Sequence, residues 1–476
     1  MYRTNQFYID GQWVDPIGGE RFELINPATE QRCGTLSMGD ERDVDRAVLA
    51  AKAAFDSYSL WTTAERIELL ERVLFIYKRR YEEFAQAMTL EMGVPISFSR
   101  DAQAARGIAH IDEIIRVLRS FEFDHRQGTT LIRREAIGVC GLITPWNWPI
   151  NQIVVKIAPA LAAGCTIVIK PSEYSALSAL LFAEVLDEAG VPPGVFNLVN
   201  GDGRTVGSAL SAHPLVDMVS FTGSTQAGIQ VAKTAADTVK RVAQELGGKS
   251  ANILLEDADF ELSVRKGVAG CFTNSGQSCS IPTRMIVPRS KLAVVAEIAR
   301  ATAAEYRLGD PLDVSTQLGP LVNKAQYERV QRLIKSGIEE GAQLIIGGTG
   351  KPEGLQVGYY VKPTVFVNVS PEMTIAQEEI FGPVLAVIPY DTEEEAIEIA
   401  NGTPYGLAAY VQSGSIDRAR EVAKRLRAGG VHLNYPAADL GAPFGGYKQS
   451  GNGREWGEHG LIEYLETKSI VGYFAK

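Results

Sequence analysis

From Ala136 onward, short and almost wholly apolar runs alternate with helix-length segments: AIGVCGLIT, CTIVIKPS, VFNLVNG, DMVSFTGS, RVAQELGG and SANILLED. A strand with one wet face alternates apolar and polar residues, so runs this uniformly apolar are covered on both faces. Their separation of roughly 15 to 30 residues leaves room for a crossover helix each time. The pattern predicts an α/β fold: βαβ units around a parallel sheet with helices on both sides. Such sheets take ligands beyond the carboxyl ends of their strands. The polar tails PWN, KPSE and FTGST all fall at those ends.

A second alternating region follows Cys279, from RMIVPRS through VFVNVS and VLAVIPY to GGVHLNY. It predicts a second α/β unit with the cysteine on the junction, and 476 residues fit two or three domains. Upstream, Val44, Ala47, Val48, Ala51, Ala54, Phe55 and Tyr58 recur at helical spacing, which predicts an amphipathic helix from Glu41 to Tyr58. Thr62 and Glu65 form a capping box that opens a longer helix through about Met88. The segments YLETKSIVGYF and LIRREAIGVC read as added strands available for subunit contact.

Composition excludes several classes of function. Acidic residues outnumber basic ones, 57 to 47, and no basic run interleaves with aromatics, which argues against nucleic acid and anionic membranes. The longest apolar run, Ile157 to Ile169, carries Pro159 and Gly164 and is too short to span a bilayer. The N-terminal MYRTNQFYIDGQWVDP lacks the apolar core of a signal peptide. Five cysteines without a CxxC pair fit a reducing cytosol rather than a disulfide scaffold or zinc site. The five histidines show no metal-binding spacing, so no metal is expected.

Cys279 is the unusual cysteine. In NSGQSCSIPTR it sits among glycine, serine and amides, whereas Cys165 lies in the apolar AAGCTIVI. Small neighbours permit close substrate approach, and an ionised thiol is a strong nucleophile; a structural free cysteine is the plainer alternative. Glu245, at a strand end before two glycines, suits a mobile general base, against a capping or surface role. Asn147, fixed between tryptophans and prolines in PWNWP, is placed to donate to an oxyanion, against a turn-forming role. In FTGST, Ser224 and Thr225 open a helix whose free N–H groups suit a pyrophosphate, although both are common caps. Lys170 and Glu173 of KPSE suit the hydroxyls of an adenosine ribose, or merely a solvated loop. GDGRTVG, spaced GxGxxxG, imitates a dinucleotide fingerprint only weakly and reads rather as a flexible strand-to-helix turn.

Together, INPATE, PWNWP, KPSE, FTGST, ELGGK, NSGQSC, EEIFGP and PFGGYKQSG resemble the NAD(P)-dependent aldehyde dehydrogenase superfamily, in its order and spacing over nearly the whole chain. The resemblance implies a Rossmann-like cofactor domain (1–117, 137–247 and 450–464), an α/β catalytic domain (248–449) and a small β oligomerisation module (118–136 and 465–476). It implies Cys279 as nucleophile, Asn147 with the Cys279 N–H as oxyanion hole, and Glu245 as the base that hydrolyses the thioester. It further implies cofactor contacts from Thr144, Trp146, Lys170, Ser172, Glu173, Phe221, Gly223, Ser224, Leu246, Gly247, Glu379 and Phe381. Lys156 and Glu455 match a proton path, and Gln152 and Val155 match the substrate tunnel. NAD is expected in preference to NADP because Glu173 repels a 2′-phosphate, and a homodimer or homotetramer is expected in the cytoplasm. Departures lie around the substrate: Trp148 where Phe is common, smaller or more polar Gln152 and Val155, and Ser278 and Ser280 beside the nucleophile. No arginine in these segments clamps a carboxylate, so a semialdehyde acid is not favoured. The alternatives are a coenzyme A-acylating relative, which tends to lack the glutamate of ELGGK, and a non-catalytic relative.

Overall fold

The computed structural model describes residues 2–475. Its first sheet contains five parallel strands in the order Arg241–Glu245, Met218–Thr222, Val139–Ile143, Thr166–Lys170 and Phe196–Leu198, extended by the antiparallel strands Phe7–Ile9 and Gln12–Val14. Val139–Ile143 comes first in the chain among these parallel strands, yet lies between the second and the fourth. The crossovers therefore diverge to either side of it, and a crevice opens at its carboxyl end. Thr144–Asn147 leaves on one side of that crevice and Gly223–Ser224 on the other. Every residue of Val139–Ile143, Thr166–Lys170 and Met218–Thr222 is buried, as their unbroken apolar runs require.

The second sheet runs Gln343–Ile346, Thr364–Val367, Val384–Tyr390, Arg284–Pro288, Ala251–Leu254, Ala408–Gln412 and Gly430–Leu433. All its neighbours pair in parallel except the first two. Ala251–Leu254 thus starts the second sheet, and the chain crosses between sheets at Leu246–Ser250. A three-stranded antiparallel sheet pairs Leu465–Ile470 with Thr130–Ala136, and that strand with Asp124–Gln127. Among the described residues no helix is long and apolar enough to cross a membrane, and no cluster of side chains could hold a metal.

The amphipathic helix occupies Glu41–Tyr58, with Val44, Ala47, Val48 and Ala51 buried. The Thr62–Glu65 capping box forms, a feature worth about 1 kcal/mol. The helix it opens is shorter than its periodicity predicts. It ends at Arg79, and a second helix, Tyr81–Met92, starts after Arg80. Arg80 leaves helical geometry (φ −97°, ψ 10°), and its guanidinium bonds Glu83 and Glu184. Apolar periodicity continues through such a break because both helices face the same core.

Candidate active site

Three consecutive residues before the cysteine are left-handed: Asn274 (φ 54°), Ser275 (φ 55°) and Gly276 (φ 76°). For residues with a side chain this costs on the order of 1 kcal/mol each. The compensation is dense. Ser275 Oγ donates to Gly319 O (2.9 Å), and Asn274 Nδ2 to Asn147 O (2.8 Å) and Gln277 O (3.1 Å). Gly276 has no substitute, since a Cβ there would lie 2.0 Å from the Gly382 carbonyl carbon. NSGQSC is thereby pressed against EEIFGP.

Asn147 is held from both sides. Gln103 Nε2 donates to its carbonyl (3.2 Å), and its own Nδ2 donates to Gln277 O (3.2 Å). One of its two amide hydrogens is left for another acceptor. Trp148 Nε1 donates to Ser278 Oγ (2.6 Å), which ties PWNWP to the residue before Cys279.

Glu245 ends its strand fully buried, and neither carboxylate oxygen has a hydrogen-bond partner among the described residues. Burial, reinforced by the nearby Glu455 carboxylate, raises its pKa well above the ordinary 4.5, although Lys156 and Arg454 oppose the shift. Beneath it, buried Lys156 Nζ contacts Glu455 Oε1 at 2.6 Å and donates to Ser220 Oγ at 2.9 Å. A small cavity lined by Val155, Ser220, Glu245, Arg454 and Glu455 connects these groups. Cys279 keeps partial exposure, but the depth of its sulfur and then the charges of Glu379 and Glu245 push its thiol pKa far up.

The two glycines of ELGGK make the assembly possible. A Cβ on Gly247 would meet Glu379 Oε2 at 2.3 Å, and one on Gly248 would meet Cys279 O at 2.5 Å. Gly248 N–H donates to Glu379 Oε1 (3.0 Å), while burial raises that carboxyl to about 7. Phe381 is left-handed (φ 63°), and its ring meets Trp146 edge to face with centroids 5.4 Å apart. Along the first sheet, Thr144 N–H donates to Lys170 O (3.2 Å), and Lys170 Nζ lies 3.3 Å from Glu173 Oε2. Ser172 accepts from Tyr174 N–H, and Ser224 caps helix Thr225–Ala235 by accepting from Ala227 N–H. Phe221 and Leu246 are buried, and Gly223 N–H donates to Glu245 O (3.1 Å). Gln152 is buried on the helix that follows PWNWP.

The segments carrying Asn147, Gly247, Gly248, Cys279 and Glu379 meet at the inter-sheet crossing. In GDGRTVG, Asp202 accepts from Arg204 and Thr205 N–H to form a local helical start, and its carboxylate lies close enough to Lys170 for its charge to act there. Sequence reasoning missed the residues that hold the site together. Ser450 Oγ donates to Gly247 O (2.7 Å), Gln326 Nε2 to Phe381 O (2.8 Å), and Arg329 to Glu379 O (2.8 Å). Ser450 lies in the quoted PFGGYKQSG motif, but Gln326 and Arg329 sit on an ordinary amphipathic helix, Lys324–Glu339, with no local signal.

The aldehyde dehydrogenase family model matches residues 13–470. A 3-succinoylsemialdehyde-pyridine dehydrogenase from Pseudomonas is 56% identical over 99% of both chains. Among solved structures, an aldehyde dehydrogenase C variant from Pseudomonas syringae, complexed with NAD+ and octanal, is 54% identical. It superposes with a TM-score of 0.98, covering 99% of this chain and 97% of that one. The NAD+ complex of a Mycobacterium tuberculosis aldehyde dehydrogenase is 39% identical with a TM-score of 0.96, covering 98% of each chain. The chain belongs to the aldehyde dehydrogenase family, enzymes that oxidise an aldehyde to a carboxylic acid.

Proposed function

We propose that the protein oxidises an aldehyde with NAD, through a covalent adduct on Cys279, and releases the free acid. The observation that carries this reading is the convergence of Cys279, Asn147 and unpartnered Glu245 on the crossing between the sheets. The thiol of Cys279 adds to the aldehyde carbon and gives up its proton, forming a thiohemiacetal. The remaining Asn147 amide hydrogen and the Cys279 N–H stabilise the oxyanion. NAD, when bound, accepts the hydride from the adduct carbon. Glu245 takes a proton from water, which attacks the resulting thioester and frees the acid and the Cys279 thiolate. A buried carboxyl whose pKa is raised above the ordinary range is a stronger base than an exposed one, which suits that task. Lys156 and Glu455 carry the proton onward from Glu245.

The cofactor would be held by the Ser224-capped helix N-terminus for the pyrophosphate, and by Lys170 and Glu173 for the adenosine ribose. Glu379 and Phe381 would hold the nicotinamide end, with Thr144, Trp146, Ser172, Phe221, Gly223, Leu246 and Gly247 shaping the crevice. Close backbone approach at Gly247 and the free N–H groups of helix Thr225–Ala235 fit a dinucleotide there. The NAD+ complexes of two relatives support this choice. Glu173 favours NAD over NADP. The protein is a cytoplasmic homodimer or homotetramer, with 118–136 and 465–476 as its joining strands beside the cofactor domain (1–117, 137–247, 450–464) and the catalytic domain (248–449). The reading is tested by incubating purified protein with NAD and an aldehyde such as octanal. NADH and free acid should appear in equal amounts without coenzyme A. Acyl-coenzyme A as the required product, or no NADH with any aldehyde, would overturn it.

A further inference from the structure

Near His110 stands a cation that the proposed chemistry does not use. Helix Ala105–Leu118 follows a π-helical turn, Ser99–Ala104, and packs along helix Pro149–Ala163. Three contacts fix the alignment of the two segments. Gln103 reaches Asn147 O, a Cβ on Gly107 would lie 2.8 Å from Ile150 Cγ2, and His110 shares a 2.9 Å hydrogen bond with Asn151. Arg106 lies one turn before His110 on helix Ala105–Leu118, and its charge adds to burial in holding that imidazole's pKa down. It is partly buried, and burial is the only influence on its guanidinium, with no carboxylate acting on it. Several other guanidinium groups in this protein are paired with carboxylates, as with Arg80 and Arg418.

A second unpartnered donor lies close by. The Trp456 ring is 5.3 Å from the His110 ring and stacks on Phe444 at 4.6 Å, and its buried Nε1 has no acceptor among the described residues. The buried indole N–H lacks the acceptor that buried polar groups nearly always have, and the partly exposed Arg106 offers a second donor beside the same histidine. Gln103 Oε1 and Gln152 Oε1 are also buried without partners, giving the space next to Asn147 a polar wall.

Resting on the aldehyde reading above, we infer that Arg106, seconded by Trp456 Nε1, binds a hydrogen-bond acceptor on the far end of the aldehyde. The preferred substrates carry a carboxylate or carbonyl on the tail. This departs from the sequence expectation, which found no arginine in the motif segments; Arg106 comes from outside them.

The test compares kcat/KM for aldehydes of matched length bearing an alkyl, a keto or a carboxylate tail, in the parent, Arg106→Met and Trp456→Phe. The parent should favour acceptor tails over the alkyl tail, most strongly if the tail is anionic. Arg106→Met should lower that ratio by roughly ten- to a hundredfold, mainly through KM, and Arg106→Lys should restore part of it for the carboxylate. Trp456→Phe keeps the ring stack and should lower the ratio less. If only the carboxylate arm responds, the tail is an acid; if the keto arm responds equally, it is a neutral acceptor. A parent that oxidises all three tails equally, or variants that lose activity in parallel on all three, would overturn the tail site alone. A parent that oxidises no aldehyde would overturn the reading beneath it, and this one with it.

Discussion

The side of the crevice proposed for the cofactor and the side proposed for the reaction are built from similar residues but treat them differently. On the proposed cofactor side, Lys170 is paired with Glu173, Ser224 is engaged by Ala227 N–H, and Glu379 accepts from Gly248. At the inter-sheet crossing, Glu245 has no partner on either oxygen, and Gln152 Oε1 is bare. Groups that hold a ligand in one fixed place tolerate being pre-satisfied. Groups that must exchange protons or bonds during turnover cannot be locked, and the fold bears the desolvation of an unpaired carboxyl. The same contrast appears within a few ångströms at Glu455, which is pinned to Lys156 while Glu245 above it is not.

The comparison is broken most completely at the nucleophile. Cys279→Ala should remove aldehyde oxidation altogether while NAD still binds with near-parental affinity, measured by fluorescence titration. Loss of binding as well would show that the two sides are one unit.

Glu245→Gln should keep a first equivalent of NADH in a stopped-flow burst, whereas steady turnover falls about 10²–10⁴-fold. The sign of the pH effect follows from the raised carboxyl. Below its pKa the group is protonated and cannot accept a proton, so parental kcat should climb as pH rises through that value. The limb should vanish in the Gln variant; its persistence there would assign the titration to another group.

Lys156→Met tests the paired carboxylate. With Lys156 gone, Glu455 is buried beside Glu245 without its cation, which should cost about 3–5 kcal/mol of stability. A thermal unfolding midpoint left unmoved would mean that the pair contributes nothing to folding.

The smallest effect belongs to the cofactor rim. Glu173→Gln should reduce the NAD over NADP ratio of kcat/KM by roughly ten- to several-hundredfold, because it removes a carboxylate facing a 2′-phosphate at partly shielded range. Lys170, already next to Glu173, is free to turn to that phosphate and limits the effect.

The parallel sheet was legible because burial on both faces leaves an unbroken apolar run, and the capping box because it is a contact within four residues. The helix break at Arg80 was not legible. It depends on Glu184, far along the chain, and the apolar period runs straight through it. Cys279, Glu245 and Asn147 stood out because their neighbours are wrong for a core: glycines beside a thiol, glycines after a carboxylate, and an amide wedged between tryptophans. Gln103, Gln326 and Arg329 gave no such sign, since each sits on a helix whose pattern is ordinary.

The sequence alone determined which local pieces exist: strand, turn, cap, and the small residues that let backbones approach. Those properties depend on steric and apolar patterning over a few neighbours. Only the tertiary structure decided which side chains are left without partners, because a partner is a matter of space rather than order along the chain. Glu245 is bare and Glu455 is not for that reason. Gln103 and His110, distant in sequence from every motif quoted, come to bond Asn147 and Asn151 because two helices pack along each other.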